Sequence, residues 1–222
     1  MNVQEALDTL KSLGTEQNRK IYRRHGARED VYGVSYAHLK DLKKKVKVDH
    51  ELAEGLWKSG NHDARIFAAM VADPKRLDRE ALDSWVRGLA GYPESDAFGD
   101  LAAKSPAGRE ALERYTGSDE EWTAAAGWRG FAHLVMNGGL SDEDCEKILA
   151  RIEREIHSER NRVRYEMNNV VIAIGGRNPD LQEKAIAAAV RIGKVEVDHG
   201  ETGCKTPEAV SYIRKMAERK KK

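Results

Sequence analysis

The chain has 222 residues, 34% of them charged, yet Lys and Arg balance Asp and Glu so closely that the formal net charge is +1. That balance excludes a globally cationic nucleic-acid coat, so any affinity for phosphate has to come from local clusters. No apolar run approaches the length of a membrane span, and two distant cysteines, Cys145 and Cys204, without a secretory signal lead to the expectation of a reduced cytoplasmic protein.

In chain order, Asn2 caps a first helix bearing Leu7, Leu10 and Leu13 and stopped by Gly14, and Thr15 caps a second that runs to Gly26. Ser35 caps a third (Leu39, Leu42, Val46), Asp49 a fourth (Leu52, Leu56, Trp57) and Asn61 a fifth (Ile66, Ala69, Met70). After Pro74 comes a sixth with Leu82, Trp85, Val86 and Leu89, then a turn at Gly91-Tyr92-Pro93 and a short helix over 96–104. Residues 106–115 make another, Ser118 to Glu121 read as a capping box for a helix through Trp122, Trp128 and Phe131, and Ser141 opens the next. Residues 162–207 then form a helical hairpin and a polar loop before a last helix. In the hairpin, Val163, Met167, Val170 and Ile174 mark one buried face, while Arg160, Arg164 and Asn168 line another, beside Asn169. Gly175-Gly176 suggest a positive-φ helix end, Pro179 opens the second helix, and its Ala and Ile content suggests packing from several sides. Only Lys194–Val197 hints at a strand, and it is too short. Paired helices joined by short turns predict an all-α, curved α-solenoid of HEAT-like helix pairs, one domain over 1–222.

The segments GTEQNRKIYRRHG, YGVSYAHLKDL, LWKSGNHDARIFAAMVADP, MNNVVIAIGGRN and VDHGETGCKTPEAV together resemble the DNA alkylation repair (AlkD-like) family of HEAT-repeat DNA glycosylases, over nearly the whole chain. The resemblance implies a stack of helix pairs with a cationic concave face for double-stranded DNA, damaged or distorted. It also implies hydrolysis of the N-glycosidic bond of cationic alkylated purines, as in base excision repair, with no metal or other cofactor. The family's catalytic carboxylate falls on Asp100. Its two flanking tryptophans fall on Asp96 and near Asn169, and its arginine near Ala125. One position of four matches, so the resemblance implies a diverged active site. An alignment shifted by a turn would let Trp122, Trp128 or Arg129 stand in.

Chemically, a carboxylate at Asp100 can stabilise positive charge on a sugar and orient a water. The plainer reading is an acid at a helix start, favoured by the macrodipole. Arg23 and Arg24, with Arg19 and Lys20, and Lys43 and Lys44, within a Lys-rich helix, suit phosphate contacts, as do Arg164 and Arg177. Asn168 and Asn169 suit base-edge hydrogen bonds. Lysine-rich helix ends are also ordinary solvent faces. Arg65, in His62-Asp63-Ala64-Arg65, reads as a tie to a neighbouring helix pair, and Trp57 and Trp85 as core. Of Trp122 and Trp128, six apart, one is expected to be buried. Asp198, His199, Glu201 and Cys204 lack metal-ligand spacing, so no metal is assigned. The end of the chain, 219–222, reads as a frayed basic tail. A monomeric DNA binder related to the glycosylases is the leading function. A noncatalytic binder of bent or branched DNA and a protein–protein scaffold are the alternatives.

Overall fold

A computed structural model describes residues 1–27 and 29–220, with only the backbone of Lys220. Arg28, in the loop after the second helix, and Lys221 and Lys222 of the expected basic tail lie outside the described residues. Among the described residues there are thirteen α-helices and no strand. They are α1 (Val3–Leu13), α2 (Glu16–Arg24), α3 (Tyr36–Val46), α4 (His50–Lys58), α5 (His62–Val71), α6 (Arg79–Val86) and α7 (Tyr92–Ala102). Then come α8 (Gly108–Thr116), α9 (Glu121–Met136), α10 (Asp142–Glu155), α11 (Asn161–Gly175), α12 (Pro179–Ile192) and α13 (Ala209–Lys220). A single 3-10 turn spans Pro74–Arg76.

Most helix starts follow from local chemistry. The side chains of Asn2, Thr15, Ser35, Asp49, Asn61, Asp78, Ser141 and Asn178 each accept the backbone N–H three residues on. Each such cap satisfies an orphan donor and stabilises its helix by about 1 kcal/mol. Three features depart from the sequence-based expectation. The Gly91-Tyr92-Pro93 turn is instead the first turn of α7, because Gly91 takes φ 81° and Pro93 sits where no N–H is needed. The Ser118 capping box does not form. Glu120 is the N-cap without a side-chain bond, Ser118 Oγ accepts only from Glu120 N (3.1 Å), and Glu121 turns away to accept from Arg162 N (2.6 Å) at the start of α11. Gly176 has φ −86°, so the glycine pair does not supply a left-handed end. A Cβ on Gly175 would lie 2.6 Å from Ile213 Cδ1, so close approach of α13 is what requires glycine there. The second hairpin helix, α12, buries Leu181, Ala185, Ala188 and Ala189, and Val190 on its other side is 65% exposed. Three helices, α10, α11 and α13, pack against it, while the Val190 side stays open.

By its internal contacts the chain divides into two compact units, Met1–Ala111 with Gly200–Thr202, and Leu112–His199 with Gly203–Lys222. In the first, α4 and α5 pair, and α1, α3 and α7 pack on them. Trp57 and Trp85 stack with centroids 4.3 Å apart, and Trp57 also meets Phe98. Both tryptophans are core, and each contributes on the order of 2–3 kcal/mol by burial. In the second unit α11 is the central helix, packed against α9, α12 and α13, and α10 pairs with α12. Val163, Met167, Val170 and Ile174 are all fully buried, the face their spacing predicts.

Candidate nucleic-acid interface

In the first unit, the His62-Asp63-Ala64-Arg65 segment opens α5 and is almost wholly inward. Asp63 is fully buried and accepts three backbone N–H bonds, from Tyr32 (2.6 Å), Gly33 (3.0 Å) and Val34 (2.7 Å). The carboxylate shapes the loop between α2 and α3, where Gly33 at φ 79° leaves no room for a Cβ. His62 Nδ1 and Glu94 Oε1 share a buried hydrogen bond at 2.7 Å, and Glu94 Oε2 accepts from Ala90 N (3.0 Å). Arg65 donates to the Gly88 carbonyl (2.5 Å), lies 3.6 Å from Glu94 and sits over the Trp57 ring. The expected structural tie is there, with a backbone carbonyl as its main partner.

The expected DNA residues of this unit lie on α2, α3 and α7. Arg23 and Arg24 end α2 and are exposed, and Arg24 reaches the Glu201 carbonyl at 3.4 Å. Lys43 is exposed, and Lys44 is paired with Asp41 at 2.9 Å. An exposed pair like this is worth about 0–1 kcal/mol, so a phosphate can replace Asp41 at little cost. Asp100 occupies the last turn of α7, not a helix start. The macrodipole therefore opposes its charge by about 0.3–1 kcal/mol, and the helix-start explanation of this residue is overturned. Asp96 is one turn earlier on the same face of α7. The Tyr36 phenol is pushed up from its usual range, first by burial, then by Asp96, Tyr22, Tyr92 and Asp100. Tyr36 is itself 40% exposed, so solvent softens each effect.

In the second unit, the polar face of α11 has a different use from the one its composition suggests. Asn161, Tyr165 and Asn168 hold the strap that follows α12. Asn161 donates to the Asp198 carbonyl (2.7 Å) and accepts from Asp198 N (2.7 Å). Tyr165 meets the His199 ring edge-on at 5.6 Å, and His199 Nε2 bonds Thr206 Oγ1 at 3.0 Å. Asn168 is only 3% exposed and donates to the Pro207 carbonyl (3.0 Å). Arg160 donates to the carbonyls of Ser118 (2.5 Å) and Asp119. Arg164 is half-buried and lines a groove of about 1,180 Å³ shared with Lys194, Lys205, Glu196, Asp198 and Glu208, where acids match bases. Among the described residues no three His, Cys, Asp or Glu side chains gather as metal ligands would.

A second groove, of about 730 Å³, opens beside α9, α11 and α13. Arg129, Tyr165, Asn169, Arg177, Tyr212 and Met216 line it, and among the described residues no acid does. Arg177 lies 3.4 Å from Asp142 and 3.7 Å from Cys145 Sγ, whose thiol is pushed up by burial against the opposing pull of that guanidinium. Asn169 Nδ2 donates to Glu166 Oε2 (3.2 Å), and Arg162 Nη2 lies 2.6 Å from Glu166 Oε1. Of the possible stand-ins, Trp128 is fully buried beneath Arg151 and cannot line any groove, Trp122 is half-buried, and Arg129 reaches this one. Sequence reasoning missed Tyr165 and Tyr212. The available signal was a pair of tyrosines on helices whose apolar stripes were already filled.

The chain is 32% identical to the uncharacterized protein Lin0241 of Listeria innocua, over 97% of each chain, and 32% identical to the uncharacterized protein Lmo0209 of Listeria monocytogenes, over 98% of each. A solved structure described as a new family of proteins related to the HEAT-like repeat DNA glycosylases, with affinity for branched DNA structures, matches with TM-score 0.90 at 30% identity. The match covers 99% of this chain and 95% of that one. The all-α architecture of HEAT-like helix pairs is thereby established. The family model described as DNA alkylation repair enzyme spans residues 6–213, and the chain belongs to that family.

Proposed function

We propose that this chain is a repair protein that binds double-stranded DNA at branched or distorted points, related to the alkylpurine glycosylases but with a diverged excision site. The observation that carries this reading is the chain-long likeness to a protein with affinity for branched DNA structures. Exposed Arg23, Arg24 and Lys43 in one unit, and Arg129 and Arg177 in the other, are the cations offered to phosphate. The resemblance puts the family's tryptophan position on Asp96, one turn before Asp100 on α7, so a second carboxylate stands where an aromatic wall would be.

Fluorescence anisotropy of a four-way junction and a linear duplex of equal length, across a salt series, tests the binding. The junction should bind about tenfold tighter or better, and log Kd should rise linearly with log salt. Equal affinity for the two DNAs, or none for either, overturns the reading. Release of 7-methylguanine and 3-methyladenine from methylated duplex should stay at the spontaneous rate, and Asp100→Asn should bind DNA as well as wild type or better. Rapid release that Asp100→Asn abolishes would establish excision as the function instead.

A further inference from the structure

The groove beside α9, α11 and α13 combines features that a general phosphate-binding surface does not need. Two of the large exposed apolar side chains, Met136 (62% exposed) and Tyr212 (48%), open onto it. The Tyr165 ring already carries the Arg162 guanidinium, 4.2 Å from its centroid, and the edge of His199. Tyr212 has no ring or guanidinium contact among the described residues, so its face is available. Met216 adds a polarisable thioether beside it. Asn169 supplies one polar group at the apolar wall, with its amide nitrogen already bound to Glu166. Arg129 and Arg177 line the groove, and among the described residues no acid does. An aromatic face, one fixed hydrogen-bonding group and a largely apolar lining whose two charged residues, Arg129 and Arg177, are both cations match an anionic ligand with a flat apolar body. Arg177 exchanges its exposed-side partner Asp142 for the ligand. Its volume, about 730 Å³, lies in the range of roughly 300–1,000 Å³ common for sites that enclose a small ligand.

Resting on the DNA-binding reading, we infer that this groove receives a single unpaired nucleobase, stacked on Tyr212, with the attached phosphates drawn to Arg129 and Arg177. A branch point is where such a base is cheaply available, because it has already lost its pairing and part of its stacking. The site thus selects a junction with an unpaired nucleotide over a fully paired one.

Two junctions test this, identical except that one carries an unpaired adenine at the branch point and the other an abasic tetrahydrofuran. Wild-type protein should bind the adenine junction about fivefold tighter or more, the scale of one base–aromatic stack. Tyr212→Ala should remove that preference while leaving affinity for the abasic junction unchanged, and Tyr212→Phe should restore it. Thermal unfolding of both variants should match wild type, since Tyr212 is half exposed. Equal binding of the two junctions by wild type overturns the inference and leaves the DNA-binding reading standing. So does a preference that survives Tyr212→Ala, or a Tyr212→Ala loss that falls equally on both junctions. No binding of either junction overturns both readings.

Discussion

The buried polar node at the start of α5 and the groove beside α11 contain similar residue types in opposite circumstances. At the node, the Asp63 carboxylate is consumed by three backbone N–H groups, Glu94 by His62 and Ala90 N, and Arg65 by the Gly88 carbonyl. Little capacity is left for a ligand. In the groove, two arginines, two tyrosines and an asparagine line an open wall with no acid among the described lining residues. Although Arg177, Asn169 and Tyr165 keep partners in Asp142, Glu166 and Arg162, each still faces the opening. Charged and polar residues at the node therefore act on stability, and those in the groove should act on binding. The comparison also teaches that a charged motif is better judged by what consumes its hydrogen bonds than by its charge.

The largest test of that division is Asp63→Ala. It orphans three N–H groups, two of them buried and one half-buried, each costing about 1–3 kcal/mol, so urea unfolding should show a loss of about 3–5 kcal/mol or a chain that does not fold. Asp63→Asn keeps one acceptor oxygen and should lose roughly half as much. A loss below about 1 kcal/mol would mean that solvent or another group replaces the carboxylate, and the node would no longer be a structural element.

Next in size is an alkaline loss of stability centred on the same node. Tyr22 donates its phenol proton to the Val34 carbonyl at 2.5 Å, and burial, helped by Asp63 and Tyr92, pushes the phenol up to about 12. The unfolded chain ionises near 10, so between pH 10 and 12 the unfolded state holds fewer protons than the folded one. The stabilisation is complete below pH 10 and lost as pH rises through that window. The loss amounts to about 2–3 kcal/mol in all, at the linkage value of 1.36 kcal/mol per pH unit. Tyr22→Phe should be less stable at pH 8 and show a flatter decline from pH 10 to 12. An unchanged slope in the variant would place the titration elsewhere.

How far such features could be read in advance depended on the distance over which each is determined. Helix starts at Asn2, Thr15, Ser35, Asp49, Asn61 and Ser141 were legible because a cap involves only three residues. Ser118 carries the same local signature, yet Glu121 turns to the start of α11, a partner 41 residues away. Gly175 shows the same limit, since only the arrival of Ile213 explains it. Along α11, Arg164 and Asn168 share a face in sequence, but the strap after α12 buries Asn168 and leaves Arg164 beside acids. The groove escaped notice because Arg129, Asn169 and Tyr212 lie on three separate helices. Asp100 was identified only through family resemblance, and its place at the end of α7 depended on where that helix begins.

The smallest expected effect concerns which base the groove prefers. Asn169 Nδ2 donates to Glu166 Oε2 (3.2 Å), and Arg162 holds the other Glu166 oxygen at 2.6 Å. That chain of partners orients the amide, leaving Asn169 Oδ1 as the acceptor for a ligand. An acceptor in this position favours a base with an exocyclic amino group. Cytosine and thymine offer the cleanest contrast, because they differ at ring position 4 by an amino group against a carbonyl. A junction with an unpaired cytosine should therefore bind about threefold to fivefold tighter than one with thymine, the worth of about one net hydrogen bond. Asn169→Leu should erase that difference while keeping the preference for a base over an abasic site, which belongs to Tyr212. Its cost in stability should be below about 1 kcal/mol, because the residue is only half-buried and Glu166 retains Arg162. If thymine binds tighter in wild type, the amide presents its nitrogen and the Glu166 bond is remade on binding. If Asn169→Leu leaves the difference intact, selection between the two pyrimidines comes from another group in the groove.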